Sequence, residues 1–394
     1  MVRYMAMTDE AIETRLLELL NAGETQLAGR EYQQTVSDYT DPTVLAAERA
    51  ALFQRFPLMV ATSVEMPEPG SFRTVEIEDR SVLVVRQTDR SLKAFHNVCR
   101  HRANRVENEE AGRRQSFRCD FHSWTYGTDG ALRHVPSPEG FPSLDRECAG
   151  LAELPVAERH GLVWVGPMSQ DKVDIDDFLG DAGPLLARMR IDEGGLFRRE
   201  QFALNTNWKL VIDTFLETYH IKYLHRNTVA KFAESMSVTE PLGLHARLLA
   251  PKRDWHKLEP RERDFEADVN VVLRLWPNTI VIWVRDHAEL YVTVPDGENP
   301  NRCLVTQYLM TPDPEVPEAD EAKWEYFWEL AVGTTRAEDF TTAETMQQNF
   351  HSGIQKHVTF GRNEPGLHDF HNHFRELMPS IADLSTTGEY PTPS

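Results

Sequence analysis

Apolar positions at helical spacing open the chain. Residues 8–21 (TDEAIETRLLELLN) read as an amphipathic helix, capped by Thr8 or Asp9 and carrying acids in its first turn. A second helical pattern spans Pro42–Phe56, with Asp41 as N-cap, Pro42 at the first helical position and Leu45, Ala46, Leu52, Phe53 and Phe56 as its apolar face, interrupted by Arg49. From Met59 to Pro167 the pattern turns to short strands. Phe72–Glu78, Ser81–Arg86, Leu92–His96, Thr125–Leu132 around an Asp129–Gly130 hairpin turn, and His160–Val165 predict a small sandwich or barrel-like domain. An Asp- and Gly-rich stretch follows, with a short helix at Ile175–Met189. Beyond residue 196, strands are expected at Arg198–Leu204, His245–Ala250, Val269–Arg274, Thr279–Arg285, Leu290–Pro295 and Cys303–Met310, closed by helices at Glu318–Val332 and Arg336–Gln355.

The pattern predicts an α+β protein: an N-terminal all-β domain placed before a domain whose antiparallel sheet is covered by helices, helix-grip-like. The expected bounds are 1–55 for N-terminal helices packing on the last domain, 56–168 for the all-β domain, 169–195 for a linker, 196–380 for the α+β domain and 381–394 for a loose tail. The length, 394 residues, suits two or three domains.

The net charge of −20 argues against nucleic acid or an anionic membrane as partner. The longest apolar runs, such as Val82–Val85 and Ile280–Val284, are strand-length. The N-terminus has no basic-then-apolar signal pattern, and four cysteines are too few for a disulfide scaffold of this size. The expectation is a cytoplasmic protein whose cysteines hold metal or catalyse.

Asn207–His225 (NWKLVIDTFLETYHIKYLH) concentrates the candidate chemistry. On one helix, Asp213, Glu217 and His220 share a face, and His225 leaves it unless the helix bends or ends between the histidines. The set resembles the inner wall of a metal site; a polar helix face is the plain alternative. Asn207 reads as an N-cap and Trp208 as core.

A second constellation lies upstream. Cys99-Arg100-His101 and, further on, Cys119-Asp120-Phe121-His122 each offer one thiolate and one imidazole from a loop of a strand-rich domain. That donor set suits a two-iron cluster with thiolates on one iron and imidazoles on the other, the Rieske arrangement; a structural zinc site is the alternative. Cys148 and Cys303 have no partner motif and read as buried cysteines. HRAN from His101 and HSWTYGTDGAL from His122 resemble the Rieske domain of the ring-hydroxylating oxygenases. Members of that family more often have Gly at the positions of Ala103 and Ser123, and Tyr at Phe121.

The stretch from Asn207 then resembles the signature of the oxygenase catalytic domain. His220 and His225 supply two ligands of a 2-His-1-carboxylate iron site. The family takes the third, an Asp, from a late helix with the pattern ED-x4-E-x2-Q, matched here by Glu338-Asp339, Glu344 and Gln347, so the resemblance implies Asp339. Rivals are Glu338, Asp213 and the run His368, His371 and His373, read as the polar end of the last helix. The resemblance makes Glu217 a bridge instead of a ligand, running from His122 of one subunit to His220 of the next. Glu in place of the usual Asp resembles the members that oxidise quaternary amines. Asp213 reads as a pocket residue or a salt-bridged one.

The resemblance implies a mono- or dioxygenase with a [2Fe–2S] cluster and mononuclear Fe(II). Such an enzyme takes O2, a small-molecule substrate and electrons from a separate ferredoxin or NAD(P)H-dependent flavin reductase, and works as a homotrimer. The chain carries no dinucleotide-binding fingerprint of its own. Val271, Leu273, Leu275, Ile280, Ile282 and Tyr291 are candidate pocket positions that fit an aromatic or other hydrophobic ring compound, or serve as sheet core. Oxidation of a methylated or quaternary amine is the alternative. Arg247, Lys252 and Arg253 mark a segment that covers the pocket or a solvated basic loop. Two other classes stay open: an electron-transfer protein with a non-catalytic binding domain, and a zinc-stabilised binding module.

Overall fold

The computed structural model describes residues 6–77, 80–167 and 172–378; the expected tail, 381–394, lies outside them. The chain forms two compact units, Leu52–Phe178 and, joined, Met1–Ala51 with Leu179–Ser394.

Leu52–Phe178 is built from short strands in three sheets. In the largest, Ser71–Ile77, Arg80–Arg86 and Leu92–His96 pair in sequence, flanked by Ala111–Arg113 and Glu153–Leu154. Ser116–Arg118, Thr125–Gly127 and Leu132–His134 make a small second sheet. Its turn contains Gly130 at φ 83°, where an added Cβ would come within 2.4 Å of the Phe95 ring, so only glycine fits. Phe72, Phe95, Phe117 and Tyr126 fill a core that also takes in Cys99 and Cys119.

The other unit is organised on a seven-stranded antiparallel sheet. Its strand order is Gly195–Leu204, Cys303–Thr311, His287–Pro295, Thr279–Val284, Val269–Leu275, His245–Pro251 and Val238–Leu242. The expected strands are all present, within a few residues at their ends, and Val238–Leu242 is an addition. The alternation along these strands sends Leu248, Val272 and Ile282 to one face in a single cross-strand row. The helices Glu321–Thr334, Thr341–Phe350 and Pro365–Leu377 accompany the sheet. Arg274, buried in its strand, reaches the last helix through Asp369 at 2.6 Å. Tyr32–Thr35 and His357–Phe360 form a two-stranded ribbon that the apolar pattern does not announce.

Several expectations change. The expected 175–189 helix is two helices, Ile175–Leu179 and Ala182–Arg188, broken at Gly180 with φ 48°. The second N-terminal helix, Pro42–Glu48, passes into a π-helical segment at Arg49–Phe53. Leu45, Leu52 and Phe53 are buried as expected, Val44 and the acid Glu48 join them, and Ala46 is exposed. Arg247 belongs to no basic loop: it is buried in its strand, where Nε donates to Glu240 at 2.5 Å and NH2 to the carbonyl of Met7. Cys303 is buried as expected, but Cys148 is exposed.

Glu48 explains why an acid occupies that helix face. It accepts from Lys209 Nζ at 2.5 Å and from the Trp208 indole N–H at 2.9 Å, and both charged side chains are 1% exposed. Burial raises the Glu48 carboxyl and the Lys209 charge offsets part of that rise. The pair ties the N-terminal helix to the start of the Asn207–His225 stretch. Removing one partner strands a buried charge, so Lys209→Met should destabilise this unit by about 3–5 kcal/mol in denaturant unfolding, and Lys209→Met with Glu48→Leu should recover most of the loss. A double variant no more stable than the single one would overturn this account.

Candidate metal centres

The Cys99 and Cys119 loops share one backbone design. In each, the cysteine carbonyl accepts from the N–H four residues on, Ala103 at 3.0 Å and Ser123 at 2.9 Å. In each, the cysteine N–H donates to the carbonyl five residues on, Asn104 at 2.8 Å and Trp124 at 2.9 Å. The design needs a left-handed residue at the fourth step, and Ala103 (φ 60°) and Ser123 (φ 59°) occupy it. These are the two positions where the resembled family more often has Gly, so the departure has a physical cost.

The loops bring two imidazoles together at their tips, His101 and His122, with ring centroids 4.6 Å apart. Trp124 stacks on His101 at 4.8 Å, and Tyr126 places its hydroxyl 3.3 Å from Cys99 Sγ. Burial opposes a thiolate at Cys119, but the N–H groups of Phe121 and His122, the Asn104 amide and Cys99 outweigh it and lower that thiol. Burial, then the neighbouring His122 and Arg102, lower the proton affinity of His101. Two buried sulfurs at one level and two imidazoles at the other are a donor set that suits a two-iron cluster with mixed ligands. Asn104, Trp124 and Tyr126 lie inside the two resembling motifs, but their contacts with the sulfurs and the imidazole arise from how the two loops and the strand after the second one pack together.

The expected helix through Asn207–His225 does not run unbroken. Trp208–Asp213 is helical, with the Asn207 side chain capping Lys209 N; the chain then turns, and Ile221–Leu224 forms a second short helix. The break resolves the five-residue offset between the histidines. His220 Nε2 and His225 Nε2 come within 3.1 Å of each other. The third group arrives from Asp339, in a π-helical turn at Thr335–Phe340 between the last long helices, the kind of turn that often marks functional positions. Its Oδ1 lies 3.0 Å from His225 Nε2 and 3.6 Å from His220 Nε2.

The far sides of both rings are anchored by carboxylates. Glu217 accepts from His220 Nδ1 and, at 3.1 Å, from the His220 backbone N–H. Glu338 accepts from His225 Nδ1 and from the Thr228 hydroxyl, each at 2.7 Å. With protons held outward on both Nδ1 atoms, the two Nε2 atoms and the Asp339 carboxylate converge on one point, which a metal ion or, in its place, a proton on His225 Nε2 can occupy. His220, His225 and Asp339 offer ligand atoms all within 4.8 Å of one another. Glu338 therefore stands behind a ring rather than beside the convergent atoms.

The remaining rivals are placed elsewhere. Asp213, read as a pocket residue or a salt-bridged one, takes the second role: it accepts from the Tyr39 hydroxyl at 3.0 Å and pairs with His371 Nε2 at 2.8 Å. His371 is 1% exposed, so the histidine run is no polar helix end; it is the inner face of the helix Pro365–Leu377. His368 bonds the carbonyl of Gly361.

The convergent atoms form part of the wall of a cavity of 380 Å³. The pocket side of the sheet is set by register: Leu248, Val272, Ile282 and Glu289 line it. Of the six expected positions, Ile282 alone does so; Val271 points to the opposite face, and Leu273, Leu275, Ile280 and Tyr291 are core.

Two family models match the chain: "Rieske [2Fe-2S] domain" over residues 56–145 and "Ring hydroxylating alpha subunit (catalytic domain)" over residues 191–380. The glycine betaine monooxygenase oxygenase subunit of Chromohalobacter salexigens is 32% identical over 219 residues, 55% of this chain and 49% of that protein. The large oxygenase component of the naphthalene 1,2-dioxygenase system of Pseudomonas aeruginosa is 32% identical over 196 residues, 48% of this chain and 43% of that one. The chain spans about half the length of the curated relatives it matches. In fold it is similar to the quaternary ammonium Rieske monooxygenase CntA (TM-score 0.78, 20% identity, 89% of this chain and 96% of the other). It is also similar to the naphthalene 1,2-dioxygenase of Rhodococcus sp. (TM-score 0.73, 18% identity, 96% and 98%).

Two tests follow from the geometry. Ala103→Gly and Ser123→Gly should each raise stability by about 0.5–1 kcal/mol, the left-handed cost less the entropy a glycine adds to the unfolded chain. The readout is the temperature at which cluster absorption is lost, and a fall would show that the loops are not strained there. The second concerns protons. Burial works against a charge on His225, but Asp339 and Glu338 outweigh it and raise its proton affinity above the usual imidazole range. A metal must displace that proton, so Co(II) affinity for the metal-free triad should fall as pH drops through and below that raised value, up to about tenfold per pH unit. Affinity flat from about pH 8 to about 5.5 would contradict it.

Proposed function

We propose, because the chain belongs to the Rieske-domain, non-haem iron ring-hydroxylating oxygenase alpha subunits, that it is the oxygenase component of a system that oxidises a methylated or quaternary amine. The observation that carries the oxygenase reading is the convergence of His220, His225 and Asp339 at the wall of a cavity large enough for a small substrate. An electron-transfer module with a non-catalytic domain has no need of that triad, and a zinc-binding module has no need of the cavity.

The amine reading rests on the lining. Glu217, Glu289 and Asp339 face the cavity, and no Lys or Arg does among the described residues. Phe215, Phe232, Tyr326 and Phe327 add π faces, which attract ammonium groups. The likeness to a glycine betaine monooxygenase component points the same way. A ring compound is the second reading, favoured by the apolar row Leu248, Val272 and Ile282 and by the naphthalene dioxygenase relatives.

Cys99, His101, Cys119 and His122 would hold the cluster, and His220, His225 and Asp339 the iron. When bound, the cluster supplies single electrons and the iron supplies activation of O2. The chain's own part is to hold and dry the reactants. Glu217 and Glu338 fix the tautomers of both imidazoles, and the apolar sheet face excludes water. Substrate, O2, two electrons and two protons yield a carbinol beside nitrogen and one water. Cleavage of the carbinol C–N bond then gives an aldehyde, a less substituted amine and a proton. A separate reductase, directly or through a ferredoxin, supplies the electrons. Glu217 would carry them from the neighbouring subunit's cluster to His220, which makes a homotrimer the working form.

The test is turnover by the iron- and cluster-loaded protein with a reductase, comparing choline, glycine betaine, carnitine and naphthalene, with aldehyde release measured. Oxidation of naphthalene with every quaternary amine left intact would overturn the amine reading. Asp339→Ala should abolish turnover and mononuclear iron while the cluster spectrum persists; retained activity would remove Asp339 from the site. Glu217→Gln should keep both metals and lower the rate of iron-coupled cluster reoxidation at least tenfold, and a normal rate would remove the bridge.

A further inference from the structure

The cavity holds one carboxylate that the metal chemistry does not use. Glu289 occupies the cross-strand row that runs Leu248, Val272, Ile282, Glu289, directly opposite Ile282. At that position the pleat aims the side chain at the cavity, and its neighbours in the row are apolar. A carboxylate on an apolar wall pays a desolvation cost unless it finds partners there. Two residues supply them. The Tyr291 hydroxyl donates to Oε2 at 2.5 Å, and Tyr291 is itself steadied by the Gln307 amide at 3.2 Å. His287 Nε2 lies 3.7 Å from Oε1.

His287 is no free anion site. Its Nδ1 pairs with Asp286 at 3.1 Å, Lys323 pairs with Asp286 at 2.7 Å, and Phe327 covers the imidazole at 4.5 Å. Burial opposes its charge, but Asp286 and Glu289 outweigh burial and hold its pKa at about 9. Asp286 and Lys323 offset each other, and the His287 charge stands 3.7 Å from Glu289 Oε1, beyond hydrogen-bond distance. Oε1 therefore remains open to a cation that enters beside the Phe327 ring, where charge and π face act on an ammonium group together.

We propose that Glu289 is the specificity-determining residue of the pocket, the counter-ion that receives the substrate's ammonium group, with Tyr291 and His287 as its positioning residues. This rests on the amine reading above. A substrate anchored there must carry its positive charge next to the sheet wall, and neutral isosteres of the same shape lose the anchor while keeping the apolar contacts.

The experiment is calorimetric binding to the iron- and cluster-loaded protein of choline and of its uncharged isostere, 3,3-dimethylbutan-1-ol. Wild type is expected to prefer choline at least tenfold. Glu289→Gln, which keeps the side chain's shape, should weaken choline at least tenfold, leave the isostere within twofold and leave both metal contents intact; Glu289→Asp should restore part of the loss. If wild type binds choline and Glu289→Gln binds it equally, Glu289 is not the counter-ion and the amine reading stands. If wild type binds neither choline nor glycine betaine while turning over a ring compound, the amine reading fails and takes this assignment with it. Equal losses for choline and the isostere would mark a packing role and overturn the proposal. Should Glu289→Gln not fold, Tyr291→Phe decides: a rise in KM for choline at unchanged kcat supports the counter-ion, and an unchanged KM overturns it.

Discussion

The metal triad depends on two hydrogen bonds made on the side away from it. Glu217 and Glu338 each hold a proton on Nδ1 of a histidine, and that choice of tautomer turns both Nε2 lone pairs inward, toward the Asp339 carboxylate. Without the outer carboxylates, His220 and His225 at 3.1 Å could share a proton between their ring nitrogens and close the site on itself. The outer acids therefore create a vacancy of positive charge as well as orient rings. The two acids differ in reach. Glu338 is shared with Thr228 inside its own unit, whereas Glu217 bonds only the ring and backbone of His220 among the described contacts, which is the freedom a connecting residue requires.

That arrangement constrains the backbone on every side. Two histidines five residues apart cannot share a helix face, so the helix stops at Asp213 and a new short one begins at Ile221. Asp339 and Glu338 are adjacent, so a regular helix would point them about 100° apart; here one meets Nε2 and the other Nδ1 of the same ring, from a π-helical turn. The stretch is in turn pinned from behind by fully buried polar contacts: Lys209 to Glu48, Asn207 to the carbonyls of Tyr39 and Pro300, and Asp213 to Tyr39 and His371. Asp213 thus serves the site by fixing the helix end that precedes Glu217.

How much of this is legible in the sequence depends on the range over which each pattern acts. Strand positions in the sheet follow from local alternation. The four residues proposed to hold a cluster stand out by local spacing, since each half-motif lies within one loop. His220 and His225 are visible as a pair, but their meeting is not, because it needs a helix break that no proline or glycine marks. The lining of the cavity differs from expectation by one pleat: Val272, not Val271, faces the site, because the cavity lies on the less apolar face of this strand, the one that also carries Asn270 and Arg274. Glu289 escapes for the related reason that a single acid in a strand reads as its solvent face. The ribbon Tyr32–Thr35 with His357–Phe360, and the burial of His371, depend on partners hundreds of residues away and leave no local trace.

Three places where local rules are broken carry candidate chemistry. Ala103 and Ser123 accept left-handed backbone in loops that would suit glycine, a π-helical turn interrupts a helix at Asp339, and a carboxylate interrupts an apolar row at Glu289. Elsewhere in the same elements the sequence follows its periodicity. Left-handed residues also occur away from the candidate chemistry, at Arg90, Ser137 and His160 among others, so strain alone does not mark a site; its coincidence with a metal-bearing or cavity-facing loop does. The three departures also differ in kind. The loops gain rigidity by burying their cysteines in the core of the strand-rich unit, so their strain is tolerated locally. The acid at Glu289 is tolerated because His287 and Tyr291 face it, and that dependence separates a counter-ion held toward the cavity from a solvated charge.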